Sequence, residues 1–426
     1  MDILANSLAE TVSSFKMAGQ AFGHFWFIAL PPLLYWFFEV LWMYHIKEAF
    51  WASNNWVLLE VIPPKNIERS PKPMESFFNG IGGLEKSFTN YEIYARGEVV
   101  DYMSIEMTSE EGVVHFYMRT MKRNRHLVEA NLYAQYPDVE INEVPDYINN
   151  VPKFVPNSQW DVWGADVATT QKHHAYPIRT YPSFEESVTG KMIDPLGGLI
   201  EIFGKAGPGE FIWLQWVIKP TKPDWSEKTG KELADKLKGR EKKKEKILER
   251  LVRDITDVIT NVPKFLTSPV EFEAEKKKDE QPLDMRLSPV ERDVLKAVET
   301  NLGKVQFYTK GRCLYIGKRE VFDKALGVAG IWGAMKQFGD NNMNGFKPDG
   351  DSKTSAYYRF TKTRLNYKKH KLFRRYKNRN RDGFSTVLSS EELATIYHFP
   401  DMNVLSPALT RVEAKRSGAP ANLPIE

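Results

Sequence analysis

Residues 98–120, EVVDYMSIEMTSEEGVVHFYMRT, alternate β-branched, aromatic and polar side chains on either side of Glu110-Glu111-Gly112. Strand side chains point to opposite faces with a period of two, so this pattern around a glycine-bearing turn predicts a hairpin of 98–107 against 113–120. Upstream, residues 56–62 (WVLLEVI) read as a strand ended by Pro63-Pro64, and 74–84 (MESFFNGIGGL) have helical periodicity just behind Pro71 and Pro73. Downstream, 124–136 (NRHLVEANLYAQY) read as a helix and 139–144 (VEINEV) as a strand. The succession β-α-β-β-α-β is that of a ferredoxin-like split βαβ unit, which makes the expected fold class α+β.

A weaker copy of the same order is expected later. It comprises a strand at 211–218, a helix at 289–301, a hairpin of 305–308 and 313–316 around Lys310-Gly311, and a helix at 321–338. Expected boundaries follow from these elements. A first α+β unit covers 56–150, a connecting segment 151–210, and a second α+β unit 211–345. The second unit carries a charged helical arm at 226–260, whose residues Ile247, Leu248, Leu251, Ile255 and Val258 give an apolar seam, and a polar linker at 271–280. A basic aromatic segment at 346–384 and a C-terminal segment and linker at 385–426 complete the chain.

Ahead of the first unit stands FWFIALPPLLYWFFEVLWMY, residues 25–44. It is about as long as a bilayer core is thick, which predicts a single transmembrane helix at 23–46 preceded by an amphipathic segment at 1–22. Phe25, Trp26, Leu30, Leu34, Trp36 and Trp42 supply apolar and interfacial side chains, while Pro31, Pro32 and Glu39 count against an ideal span. Lys16 alone precedes the span and Lys47, Lys65, Arg69 and Lys72 follow it, which leans toward a cytoplasmic C-terminal body at the cell membrane. One cysteine, Cys313, in 426 residues suits a reducing compartment.

Residues 352–381, SKTSAYYRFTKTRLNYKKHKLFRRYKNRNR, hold twelve Lys or Arg and no acidic residue, although the whole chain is only +4. The charge asymmetry is therefore local, an electrostatic footprint for a polyanion or an anionic surface. Lys362, Arg364, Lys368, Lys369, Lys371, Arg374, Arg375, Lys377, Arg379 and Arg381 are the candidate cations, and Tyr367, Phe373 and Tyr376 the candidate stacking rings. Nucleic acid, a lipid surface, an acidic partner and a solvated loop all remain open for this segment.

Catalytic motifs fail one by one. GIGGLEKS at 80–87 has the spacing of a Walker A loop, but Glu85 stands where its second glycine belongs. His173-His174 has no Cys or carboxylate at metal-ligand spacing, and Cys313 lies inside an expected strand. No catalytic, cofactor or metal site is expected, and the reading is of a non-enzyme.

The ordered runs WVLLEVIPPKN, MESFFNGIGG, LYAQYPDVEI, YPIRTYPSFEE, IDPLGGLIEIF, WLQWVIKP, GAMKQFGDNNMNGFKP, EELATIYHFPD and VEAKRSGAPANLP resemble the N-terminal membrane-anchored region of bacterial type IV secretion and conjugation proteins. In relatives of that class the region stands ahead of a HerA/FtsK-like P-loop ATPase with a TraM-recognition domain. This sequence carries no Walker A, so the resemblance implies no ATP hydrolysis. It implies a non-catalytic scaffold or adaptor that positions a partner ATPase, with residues 394–405 and the tail 411–426 as exit strand and linker toward it, and with the lipid bilayer and a homo-oligomeric ring as further partners. The alternative is a membrane-tethered nucleic-acid binder acting through 352–381.

Overall fold

The computed structural model describes residues 2–65, 67, 70–171, 173–184, 193–222, 224–238, 287–381, 386–402 and 409–411, with side chains from residue 23 onward apart from 24–26 and 29. The chain divides into two compact units, one of residues 1–56 with 86–101 and one of the remainder.

The first unit is built on helix α1 (Asp2–Ser53), which continues through Pro31 and Pro32. A short helix α3 (Asn90–Tyr94) opens on a capping box, in which Thr89 Oγ1 accepts from the Glu92 amide and the Glu92 carboxylate accepts from the Thr89 amide. Trp42 Nε1 donates to the Tyr94 carbonyl at 2.8 Å. Gly97 follows with φ +66°, where a Cβ would lie 2.5 Å from the Ile46 carbonyl oxygen, so only glycine fits.

Among the described residues, the second unit is a mixed α/β layer structure around one nine-stranded sheet. Its strands are β1 (Trp56–Ile62), β2 (Met103–Glu110), β3 (Val113–Met121), β4 (Glu140–Glu143), β5 (Trp160–Thr169), β6 (Glu210–Pro220), β7 (Gln306–Lys318), β8 (Phe346–Pro348) and β9 (Thr386–Ser389). They stand in the order β4-β1-β3-β2-β6-β7-β5-β8, with β9 paired to β7. Helices α2 (Lys72–Ile81) and α4 (Arg125–Gln135) belong to the first four strands, and α5 (Gly197–Phe203) and α8 (Ile331–Met335) to the next four. Each half thus runs β-α-β-β-α-β, the second half repeats the strand order of the first in reverse along the sheet, and the two abut along β2 and β6.

Alternation sorts the side chains into two layers. Met103, Ile105 and Met107 of β2, Ile212, Leu214 and Trp216 of β6, and Cys313 and Tyr315 of β7 face the main core. Phe77 and Phe78 of α2, Leu132 of α4, Phe203 of α5, Ile331 of α8 and Leu393 of α10 (Ser390–Ile396) fill the same core. On the opposite face, Trp213, Leu314 and Ile316 meet Leu372, Phe373 and Tyr376 of α9 (Thr361–Lys377). A third, small cluster joins α6 (Lys231–Leu237) to α7 (Pro289–Leu302) through Leu233 and Val298. Burial pushes the Cys313 thiol up to about 12, the behaviour of a small core hydrophobe.

Several expectations are corrected. Among the described residues no helix is long and apolar enough to cross a membrane, so an α+β chain with a transmembrane helix ahead of two ferredoxin-like units, and a single-pass location in the cell membrane, are not supported. Seven of the twenty residues at 25–44 are Trp, Tyr or Pro and one is Glu39, and these polar-tipped, helix-interrupting and charged side chains dilute the apolar content of the stretch. Along α1, Leu30, Leu34, Trp36 and Trp42 are exposed, as are Pro31 and Pro32, and Glu39 is half-buried; the side chains of Phe25 and Trp26 lie outside the described residues.

The supposed two units form one continuous sheet, and the second half opens on β5, inside the stretch read as a connecting segment. The hairpin at Lys310-Gly311 does not exist, because β7 runs unbroken through it. Residues 394–402 are not a strand, since α10 covers their beginning, and the end of the expected exit strand, 403–405, lies outside the described residues. Of the charged arm, only a π-turn (Ser226–Gly230) and α6 are described. The rest of the arm from residue 239, the linker at 271–280 and the tail from residue 412 lie outside the described residues.

Candidate nucleic-acid interface

Helix α9 turns the basic segment into two faces. Lys369, Leu372, Phe373 and Tyr376 recur at spacings of three and four and are buried. Trp213 of β6 stacks on Tyr376 with ring centroids 5.4 Å apart and on Phe373 at 6.5 Å. Phe373 and Tyr376 are therefore core residues, unavailable to a base. Arg374, Arg375 and Lys377 occupy the last turn, where cations complement the negative end of the helix dipole.

Two cations of the segment are internal as well. Lys369 Nζ lies 2.5 Å from Asp161 Oδ1 of β5. Arg379, just past the helix, donates from Nε to Glu106 Oε1 at 3.0 Å and from Nη2 to Glu106 Oε2 at 3.1 Å, and its guanidinium also meets Asp146. Ser104 Oγ, Tyr147 Oη and Gln215 Nε2 donate to the same Glu106 carboxylate at 2.7, 2.6 and 2.9 Å. Burial alone raises the Glu106 carboxyl, but the Arg379 charge and these hydrogen bonds outweigh it and hold the group below its ordinary range.

The polar layer continues across the sheet. Glu106 is registered with Gln215, Gln215 with Arg312, and Arg312 with Asp166, so four neighbouring strands carry one transverse polar row. Asp166 accepts from Arg312 Nε at 3.0 Å and pairs with Lys310 Nζ at 2.8 Å. Burial lowers the Lys310 ammonium, with Asp166 opposing that effect.

Outward, α9 is flanked by two grooves that share Tyr367 and Lys371 as their ridge. One, of about 580 Å³, is lined by Lys153, Phe154, Tyr367, His370, Lys371, Phe373, Arg374, Lys377 and Asn378, with no carboxylate among them. Lys371 Nζ sits 5.6 Å from the Tyr367 ring centroid, and Lys377 Nζ 5.5 Å from that of Phe373. Burial lowers the Lys377 ammonium; Asp146 pulls the other way, and the like charge of Lys153 adds to the depression. The other groove, of about 750 Å³, sets Asp349, Asp351 and Ser352 opposite Arg364, Lys368, Lys371 and Arg375, with Asp166 at its floor.

Lys362, Arg364 and Arg374 are exposed, and Lys368, Lys371, Arg375, Lys377 and Arg381 half-buried. Arg364 Nη1 donates to the Tyr357 carbonyl, Lys368 Nζ to the Lys353 carbonyl, and Arg381 lies over the Tyr102 ring at 4.5 Å. Tyr357, Tyr358 and Phe360 project ahead of the helix, Tyr358 being 90 % exposed. Tyr358 and Phe360 hold φ of +71° and +58°, a left-handed backbone that costs about 1–3 kcal/mol each and clusters at binding sites. Sequence reasoning missed Lys153 and Phe154. The signal was there in VPKFVP, a cation and a bare aromatic between two prolines, with Phe154 68 % exposed.

The family model described as a domain of unknown function (DUF8128) matches residues 45–411, and the chain belongs to that family. No curated protein matches it. The family's description is silent on type IV secretion, on conjugation and on a HerA/FtsK-like ATPase, and nothing in the match supports those expectations. Among the described residues no group of three or more His, Cys, Asp or Glu is placed to hold a metal ion.

Proposed function

We propose that the outer face of α9 is a binding surface for single-stranded nucleic acid and that the protein acts as a non-catalytic binding module. One observation carries the reading: a groove with no carboxylate among its described lining residues brings Lys153, Lys371, Arg374 and Lys377 together with the exposed rings of Phe154 and Tyr367. Cations neutralise phosphates and rings stack bases without regard to sequence, and this groove supplies both within one concavity.

The test is a titration of a labelled single-stranded oligonucleotide into the full chain over a range of salt. With four phosphates contacted, log K is expected to fall against log [salt] with a slope of about −3. The triple variant Lys371→Gln, Arg374→Gln, Lys377→Gln should reduce the slope by about 2. Binding that is absent at low salt, or indifferent to salt, overturns the proposal.

A second reading, an adaptor, is favoured by α1, where Leu33, Phe37, Phe38 and Leu41 are exposed along one helix. It expects concentration-dependent self-association in sedimentation that is lost in Phe37→Glu, Leu41→Glu. A monomer at every concentration would sink a homo-oligomeric adaptor.

A further inference from the structure

The two grooves beside α9 share a ridge but not a chemistry. Both grooves carry cations, but only the second sets Asp349 and Asp351 among them, so the phosphates of a strand lying along the helix are held best on the side of Lys153, Arg374 and Lys377. With phosphates on the Lys153, Arg374 and Lys377 side, the nucleoside crosses Tyr367 and Lys371 and turns its sugar toward the acidic wall. What that wall requires is a hydrogen-bond donor, since an ionised carboxylate only accepts. The donor that an RNA sugar has and a DNA sugar lacks is the 2′-hydroxyl.

The acidic wall is preformed. The Asp349 amide donates to the Asp166 carbonyl at 2.9 Å, and Ser352 Oγ accepts from the Asp166 amide at 2.9 Å. Thr354 Oγ1 both accepts from the Gly164 amide at 3.0 Å and donates to its carbonyl at 3.1 Å, which stitches the segment along β5. Asp349 Oδ2 accepts from the Ser352 amide at 3.0 Å, one bond on a group with room for about four. Asp351 is exposed, whereas Asp166 is engaged with Lys310 and Arg312 and lies too deep to serve. Arg364, Lys368 and Arg375 across the groove offset the carboxylate charge, so that an anionic strand is admitted.

We propose that this cleft selects RNA over DNA, with the ribose 2′-hydroxyl donating to Asp349 or Asp351. The inference rests on the nucleic-acid reading of the adjoining groove. It is tested on the full chain with three 12-nucleotide strands of one mixed sequence, RNA, DNA and 2′-O-methyl RNA, at fixed salt by fluorescence anisotropy. RNA is expected to bind about tenfold tighter than DNA, the worth of one hydrogen bond to a charged acceptor. The 2′-O-methyl strand should behave like DNA, since it keeps the ribose oxygen but has no donor. The double variant Asp349→Ala, Asp351→Ala should bring RNA toward DNA while leaving the salt slope intact, and an RNA preference unchanged in it overturns the carboxylate role.

Equal affinity for all three strands overturns the selection and leaves the nucleic-acid reading standing. An RNA preference that survives 2′-O-methylation overturns the donor role. A preference that follows cytosine or adenine content regardless of sugar overturns it in favour of base amines on the same carboxylates. Failure to bind any strand at low salt overturns the nucleic-acid reading itself.

Discussion

Arg374 and Arg379 stand five residues apart in one basic run, yet one side chain is exposed and the other is among the most deeply buried in the molecule. The comparison extends to Lys371 against Lys369. In each pair the outer cation lines a groove and the inner one meets a carboxylate of the sheet layer, Asp161 for Lys369 and Glu106 with Asp146 for Arg379. A run of like charge is thus two things at once, a clamp that fixes the helix to the sheet and a surface that the clamp displays. Composition reports their sum, and only the helical period divides them.

The hardest test of this division is Arg379→Met, which leaves Glu106 buried without its cation. It is expected to lower unfolding stability by about 3–5 kcal/mol in denaturant titrations. A loss no larger than that of an exposed arginine would erase the distinction between inner and outer cations.

The same contrast can be drawn between two buried carboxyls by varying pH. Glu106 has Arg379 and is held low, so its contribution is present above about 4.5, the unfolded value, and is lost as pH falls into the acid range. Glu392 accepts from the Ser389 and Ile178 amides but burial pushes it up to about 7. Between about 4.5 and 7 the folded chain holds a proton there that the unfolded chain has released, so stability falls as pH rises through that window, by up to about 3 kcal/mol. Glu392→Gln should flatten that decline, and a neutral-range slope unchanged by the substitution would refute the assignment.

On the outer side, Phe154→Ala should weaken oligonucleotide affinity by about 1–3 kcal/mol with the salt slope preserved, since a stacking ring and not a charge is removed. The smallest effect expected is that of Arg374→Gln on folding, within about 0.5 kcal/mol by thermal or chemical denaturation. A larger loss would move Arg374 into the clamp.

How much of this was legible depended on how local the signal was. The hairpin β2–β3 and the helices α2 and α4 follow from periodicity within short windows; β3, α2 and α4 lie close to where the pattern places them, while β2 starts at Met103, five residues after the expected start at Glu98. Strand β7 was broken at Gly311 because glycine between β-rich runs reads as a turn. Its actual cause is a neighbour far away in sequence: a Cβ there would lie 2.4 Å from the Trp216 ring. Strand β5, WDVWGADVAT, was passed over because Asp161, Gly164 and Asp166 interrupt its apolar pattern, and those residues are the ones that hold Lys369, the 349–354 segment and Arg312. At the interface, the cationic run was plain in the sequence, but Lys153 and Phe154 reach it from more than two hundred residues away. For the aromatic stretch 25–44, length and apolar content pointed to a span, and the features that count against one, Pro31, Pro32 and Glu39, were visible in the same residues.

The transverse row Glu106, Gln215, Arg312 and Asp166 has a further consequence for how the halves of the sheet find each other. Because side chains alternate, sliding β2 past β6 by a single residue would turn one contributor into the apolar layer and strand its partner. An apolar seam alone would tolerate several neighbouring alignments at nearly equal cost. The charged row works as a vernier mark on an otherwise ungraded joint, admitting one alignment of the two halves and rejecting its nearest competitors.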